Sequence, residues 1–232
     1  MKVKAIHTRI FKEGENLQRF IIEHIPTLKD ESVLVVTSKI VALAERRTAP
    51  LKDKDRIIRK ESTWIIPTKY VPLTITNGML MTSAGIDESN AKDKIILLPK
   101  DSYATAKKLH KLLCKHYNIK NFGILITDSR TLPLRAGTIG VALGYVGFRG
   151  VKNYKGVLDI FGRALKITVA NIADSLASTS VLLMGEGDEQ KPLAVIEKAP
   201  IEFADRTDSK ELIIKPEEDL YFNLLKRSKR TK

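Results

Sequence analysis

Between residues 17 and 25 the apolar positions fall at helical spacing, with Leu17, Phe20, Ile21 and Ile25 on one stripe. That pattern predicts an amphipathic helix. The run "SVLVVTS" that follows is continuous and β-branched, as a buried strand reads. "KIVALAERR" returns to helix formers, with Ser38 expected as its N-cap. Residues 72–82 hold two β-type runs around Asn77-Gly78, a strong hairpin signal, so "SAGIDESN" (83–90) leaves the second arm of a hairpin.

Further along, "DSYATAKKLHKLLCKHYN" places Ala106, Leu109, Leu113 and Tyr117 on one helix face behind an Asp101 or Ser102 cap. His110 and His116 then fall on or near the polar side, six residues apart and unable to share a face as a metal pair. They are expected to be solvated. "NFGILITDS" predicts a buried strand stopping at Thr127, Asp128 and Ser129, and "ALKITVA" (164–170) and "PLAVIE" predict two more. "NIADSLASTSVLL" reads as a helix with Ala173, Leu176, Ala177 and Ser180 inward, ended by Gly185 and Gly187. "KPEEDLYFNLLKRSK" reads as a last helix, with Pro216 and acids early and bases late.

The chain shows no internal repeat and no low-complexity linker, and reads as one domain over 1–225 and a basic tail, "KRSKRTK", over 226–232. No apolar run is long enough to cross a bilayer, and no apolar segment follows the basic start. Cys114 is the only cysteine, which excludes an internal disulfide and fits a reducing cytoplasm. The 40 Lys and Arg against 27 Asp and Glu leave a formal charge of +13, so anionic partners are expected. Aromatic residues are only 6% of the chain and do not alternate with basic ones, which weakens a nucleic-acid reading against small acidic ligands.

Three carboxylate-bearing turns carry the candidate chemistry. Asp87 and Asp128 each follow an apolar element, and Glu186 lies in the acidic exit "MGEGDEQKP" of a helix, where negative charge opposes the macrodipole unless a cation is near. Three such carboxylates suit a hard divalent cation if they converge. The glycines of 137–150 suit close backbone approach to a ligand or another chain, but no Gly-Lys-Ser or Gly-Lys-Thr makes the run a P-loop.

"VLVVTSKIVALAE", "SAGIDESN", "ILITDS" and "LLMGEGDEQKPLAVIE", in this order, resemble the coenzyme F-420 gamma-glutamyl ligase family across nearly the whole chain. The resemblance implies GTP-dependent addition of L-glutamate to an acidic acceptor, the F-420-0 deazaflavin precursor or a related compound. A folate-type branch or a peptide C-terminus remain alternative acceptors, and a basic nucleic-acid-binding protein is the non-enzyme alternative. The resemblance also implies a mixed α/β (α+β) fold of mixed, largely antiparallel sheets with flanking helices, an intertwined homodimer, and Mg²⁺ or Mn²⁺, with K⁺ as a further candidate ion. Asp87, Asp128, Ser129 and Glu186 then correspond to metal positions. Thr8, Arg9, Ile10, Phe11, Ser38, Lys39, Asn90, Met184, Gly185, Glu186, Gly187, Asp188, Glu189, Gln190 and Lys191 correspond to nucleotide positions. Arg135 is expected to meet an anionic substrate. Leu43 and Leu132 stand where the family commonly has a lysine and an arginine, with Lys39 or Arg46, and Arg130 and Arg135, as possible replacements.

Overall fold

The computed structural model describes residues 1–91, 93–221 and 223. Its centre is a five-stranded sheet in the order β1-β12-β2-β8-β9, formed by Lys2–Ile6, Leu193–Glu197, Ser32–Thr37, Phe122–Thr131 and Thr138–Val146. Only β2 and β8 pair in parallel; their neighbours run antiparallel. The alternation within these two strands sorts the core. Leu34, Val36, Ile124 and Ile126 face a cluster with Phe20 and Ile21 of α1 (Leu17–His24), Ile40 and Val41 of α2 (Ser38–Ala44), and Leu109 and Leu113 of α4 (Ser102–Tyr117). Val33, Val35 and Leu125 face Ala173, Leu176 and Ala177 of α5 (Ile172–Met184), with Tyr145 and Phe148. Both faces of the central strands are therefore covered, which is why they read as unbroken apolar runs.

A smaller three-stranded sheet joins β4 (Trp64–Ile66), β5 (Leu73–Thr76) and β6 (Met79–Thr82). Asn77 and Gly78, both at positive φ, make the expected hairpin turn. Two-stranded pairs link β3 (Thr48–Pro50) to β7 (Lys94–Ile96) and β10 (Val151–Asn153) to β11 (Val169–Asn171). The mixed, largely antiparallel α+β class agrees with the expectation from sequence.

Several elements depart from it. Strand β1 and helix α3 (Lys54–Glu61) were not legible, because both are dense in charge; α3 buries only Ile57 and Ile58. The strand expected over 164–170 contracts to Val169–Asn171, since Lys166, Ile167 and Thr168 are exposed and unpaired in any sheet. Strand β8 does not stop at Thr127 but continues to Thr131. Its pairing with β9 skips Leu143, a bulge that resets the side-chain alternation just before Asp128. His110 is half-buried rather than solvated: it stacks on the Phe122 ring at 5.8 Å, with Nε2 2.9 Å from the Phe122 carbonyl. Of the last helix, the described residues hold a 3-10 turn at Pro216–Glu218, and the tail 226–232 lies outside them. No helix among the described residues is long and apolar enough to cross a membrane.

Candidate functional site

A cleft of about 750 Å³ opens where β1, β2 and α5 end, alongside β8, within the size range of small-ligand sites. Five stretches line it: residues 8–11 beyond β1, 37–40 and Leu43 at the junction of β2 and α2, 85–90, 127–129 of β8, and 184–192 beyond α5. Every residue expected to contact metal or nucleotide is in this lining. Arg135, in the turn joining β8 to β9, is not.

The strand-to-helix junction delivers the first pair. Thr37, not Ser38, takes the N-cap position, and it makes no side-chain cap bond. Ser38 is thereby free to donate its hydroxyl to Asp128 Oδ1 at 3.1 Å. One residue on, Lys39 Nζ lies 2.8 Å from Asp87 Oδ2 and donates to the Ser89 carbonyl and hydroxyl at 3.0 Å each. Ser89 N–H also donates to Asp87 Oδ1. Burial pushes the Asp87 carboxyl up, but the Lys39 ammonium and Ser89 outweigh it and hold it below the usual range.

Asp128 has no such ammonium. Removal from water pushes its carboxyl up to about 7, helped by the nearby Asp87 charge, while hydrogen bonds from Ser129 N–H and Ser38 and the more distant Lys39 charge only partly oppose it. Glu186 accepts from Ser129 Oγ at 2.7 Å and Thr138 Oγ1 at 3.4 Å, so the hydroxyl of Ser129 ties the helix exit to β8. Asn90 Nδ2 donates to the Gly187 carbonyl at 3.1 Å, joining the 85–90 turn to the 184–192 loop. In that loop Glu189 folds its carboxyl back over Gly185, which sits at φ +84, and accepts from Gly187 N–H. Backbone amides of Glu189 and Gly187 hold its carboxyl below the usual range.

At the opposite wall Arg9 is clamped by Glu15 and Glu23 and lies 4.9 Å over the Phe20 ring. Phe11 packs edge-on against the same ring and is buried, whereas Ile10 is 73% exposed in the cleft. Thr8 is buried, its N–H donating to the Gln190 carbonyl.

The lining therefore carries five carboxyl groups, of Asp87, Asp128, Glu186, Asp188 and Glu189, against Arg9, Lys39 and Lys191. Arg9 and Lys39 are already paired. In a chain of formal charge +13 this cleft is locally acidic. The three expected metal carboxylates share it without converging: among the described residues no three His, Cys, Asp or Glu side chains stand close enough to hold an ion together. Asp87 is engaged by Lys39, and Glu186 by Ser129 and Thr138. The donors themselves are all oxygen, and the Asp128 carboxyl is buried next to another carboxylate without an ammonium of its own. That donor set fits a hard divalent cation once Lys39 gives up Asp87.

The turn that presents Asp87 was expected from sequence, but its backbone geometry was not. Ser83, Ala84 and Gly85 have φ of 49°, 58° and 70°, three successive left-handed residues. The two that bear a Cβ cost about 1–2 kcal/mol each. A Cβ on Gly85 would meet Leu98 at 2.7 Å. Asp87 then exchanges two backbone hydrogen bonds with Ile96, at 2.9 and 2.8 Å. A carboxylate on so tight a turn is thus fixed from both sides. Only Gly85 in the turn signals the left-handed geometry; Ser83 and Ala84 do not.

Residues 51–198 match the family model described as F420-0:Gamma-glutamyl ligase. The chain belongs to this family. A Methanococcus maripaludis (strain C7) protein named Coenzyme F420:L-glutamate ligase is 34% identical over 216 residues, 84% of this chain and 86% of its own length. Proteins of the same name from M. maripaludis strain S2 and Methanocaldococcus jannaschii are 32% and 29% identical, over 95% and 96% of this chain and 98% and 97% of their own lengths. These longer matches reach beyond the residues of the family model.

Proposed function

We propose that this chain is a nucleotide-dependent ligase that joins L-glutamate to a carboxylate acceptor in coenzyme F420 biosynthesis, with F420-0 or a close relative as acceptor and GTP as nucleotide. The observation that carries the reading is the acidic, oxygen-lined cleft in a basic member of the F420-0:gamma-glutamyl ligase family. A nucleotide triphosphate repels such a lining unless cations intervene. Mg²⁺ or Mn²⁺ held by Asp87, Asp128, Ser129 and Glu186 supplies that positive charge at the phosphates.

The chemistry balances in two transfers. An acceptor carboxylate oxygen attacks the γ-phosphorus, the bond to the bridging oxygen breaks, and the nucleoside diphosphate leaves. The glutamate amine nitrogen then attacks the acyl carbon, the carbon–oxygen bond breaks, inorganic phosphate leaves, and the amine gives up a proton. The protein's part is positioning and charge balance, without a covalent nucleophile. Lys39, released from Asp87, has the reach and charge for a phosphate oxygen. Asn90 reads base or ribose by hydrogen bonding, and the exposed Ile10 offers an apolar face to the base. Arg135 is assigned to the acidic acceptor; it lies on the turn of the β8–β9 ribbon whose base lines the cleft.

A homodimer belongs to the same proposal. The arm from β10 to β11 exposes Leu158, Ile160, Phe161 and Ile167, each more than 60% accessible. A second copy of the chain is the occupant that the family resemblance implies for such an apolar arm.

The test is a panel of acceptors, F420-0, a folate and a peptide with a free C-terminus, incubated with glutamate, Mn²⁺ and GTP or ATP. Mass gain of one glutamyl unit on F420-0 alone supports the reading; gain on another acceptor, or on none, overturns it.

A further inference from the structure

We propose that Thr74 is a positioning residue, its buried hydroxyl holding Ser83, Ala84 and Gly85 in the left-handed turn that presents Asp87 to the cleft. Thr74 lies on β5, outside the cleft lining and fully buried. Its Oγ1 accepts from the Ala84 N–H at 2.9 Å and donates to the Met81 carbonyl at 2.9 Å. Both capacities of the hydroxyl are thus used, one on each side of the bend from β6 into the turn.

The arrangement has a specific logic. A left-handed stretch bearing two Cβ atoms relaxes unless its surroundings hold it. Ser83 N–H is held by the Pro72 carbonyl and Ile86 N–H by the Ser83 carbonyl, at 2.8 and 3.0 Å. The Ala84 N–H, at the middle of the turn in a residue 2% exposed, finds its acceptor in the Thr74 side chain. Removing that oxygen leaves a buried donor unmatched, and the turn reopens to satisfy it. Asp87, three residues on, is held as well by its backbone pair with Ile96 and, at its carboxylate, by Lys39 and Ser89, so a reopened turn shifts the backbone from which that carboxylate projects. A side chain that never touches the ligand therefore sets where one carboxylate points, as partners behind metal ligands do elsewhere.

The inference rests on the proposed role of Asp87 in cation binding, and the test separates the two. Mn²⁺ binding to the full chain is followed by the loss of the free-ion paramagnetic resonance signal, with amide hydrogen exchange over residues 83–87 in the metal-free protein alongside. The hydroxyl is removed in two backgrounds, by comparing wild type with Thr74→Val and Thr74→Ser with Thr74→Ala, so that a packing failure in one pair leaves the other. Loss of the hydroxyl is expected to weaken Mn²⁺ by about tenfold or more and to speed exchange at 83–87, with Thr74→Ser within about twofold of wild type. Unchanged exchange in both hydroxyl-free variants, or Thr74→Ser as impaired as Thr74→Ala, overturns the proposal. If wild type takes up no Mn²⁺, the metal reading falls, and exchange at 83–87 alone decides the role of Thr74.

Discussion

Lys39 Nζ lies 2.8 Å from Asp87 Oδ2, so the basic residue expected to meet a nucleotide phosphate is held by a carboxylate expected to meet a metal. Under the proposed function, a divalent cation that took Asp87 would free Lys39 for phosphate. Lys39→Ala is therefore expected to weaken nucleotide binding by about tenfold in the presence of Mg²⁺ and by less than about threefold without it. Calorimetry under both conditions checks this, and an equal loss in both would show that Lys39 contacts phosphate independently of the metal.

Asp87→Asn and Asp128→Asn are each expected to abolish metal-dependent turnover while leaving a cooperative thermal transition. For Asp128 the reason is explicit: burial pushes its carboxyl up to about 7, so the site favours an uncharged group and an amide of the same shape disturbs the fold little. An amide cannot offset a divalent charge as a carboxylate does. Turnover retained in either variant, with unchanged Mn²⁺ dependence, would remove that residue from the site.

Within 137–150, three glycines are required by close approach inside the chain itself. Gly140 faces the Ala177 carbonyl, Gly144 the backbone of Ser102, and Gly147, at φ +89, the Phe122 carbonyl, where a Cβ would stand 1.9 Å away. Their small size lets α4 and α5 close on β9. Gly147→Ala is expected to lower stability by about 3 kcal/mol or more, from overlap and backbone strain together. Gly137→Ala, with no atom within 4 Å of the added Cβ, bears only the positive-φ cost, about 1–2 kcal/mol. Chemical denaturation of the two variants tests the contrast.

The same contrast shows what sequence patterning reaches. Period and turn chemistry made β2, α4, α5 and the Asn77-Gly78 hairpin legible, since each is decided within a few residues. The family motifs brought Asp87, Asp128, Ser129 and Glu186 to one cleft. What escaped are relations between distant segments: Lys39 with Asp87, Ser38 with Asp128, Ser129 with Glu186, Thr74 with Ala84. Glycine density shows that something approaches closely but not what, and His110 shows its polarity but not the Phe122 ring beneath it.

His110 contributes one pH dependence. Desolvation lowers its pKa below the ordinary 6.5, against the raising effects of the Phe122 carbonyl and Asp205. Between the folded and unfolded values the unfolded chain binds more protons, so stability is full above about 6.5 and falls as pH drops toward the folded value. Wild type is expected to lose more melting temperature from pH 7.5 to 5.5 than His110→Gln does, even if the variant starts lower. Parallel slopes in thermal melts would contradict this.

The central claim, phosphoryl transfer to the acceptor before amide formation, is tested most directly with F420-0 labelled by ¹⁸O in its reacting carboxylate. After turnover with glutamate, GTP and Mn²⁺, the mass of the released phosphate is measured. An acyl phosphate leaves one ¹⁸O in each inorganic phosphate; phosphate that carries no label, with glutamylated product present, would contradict the account.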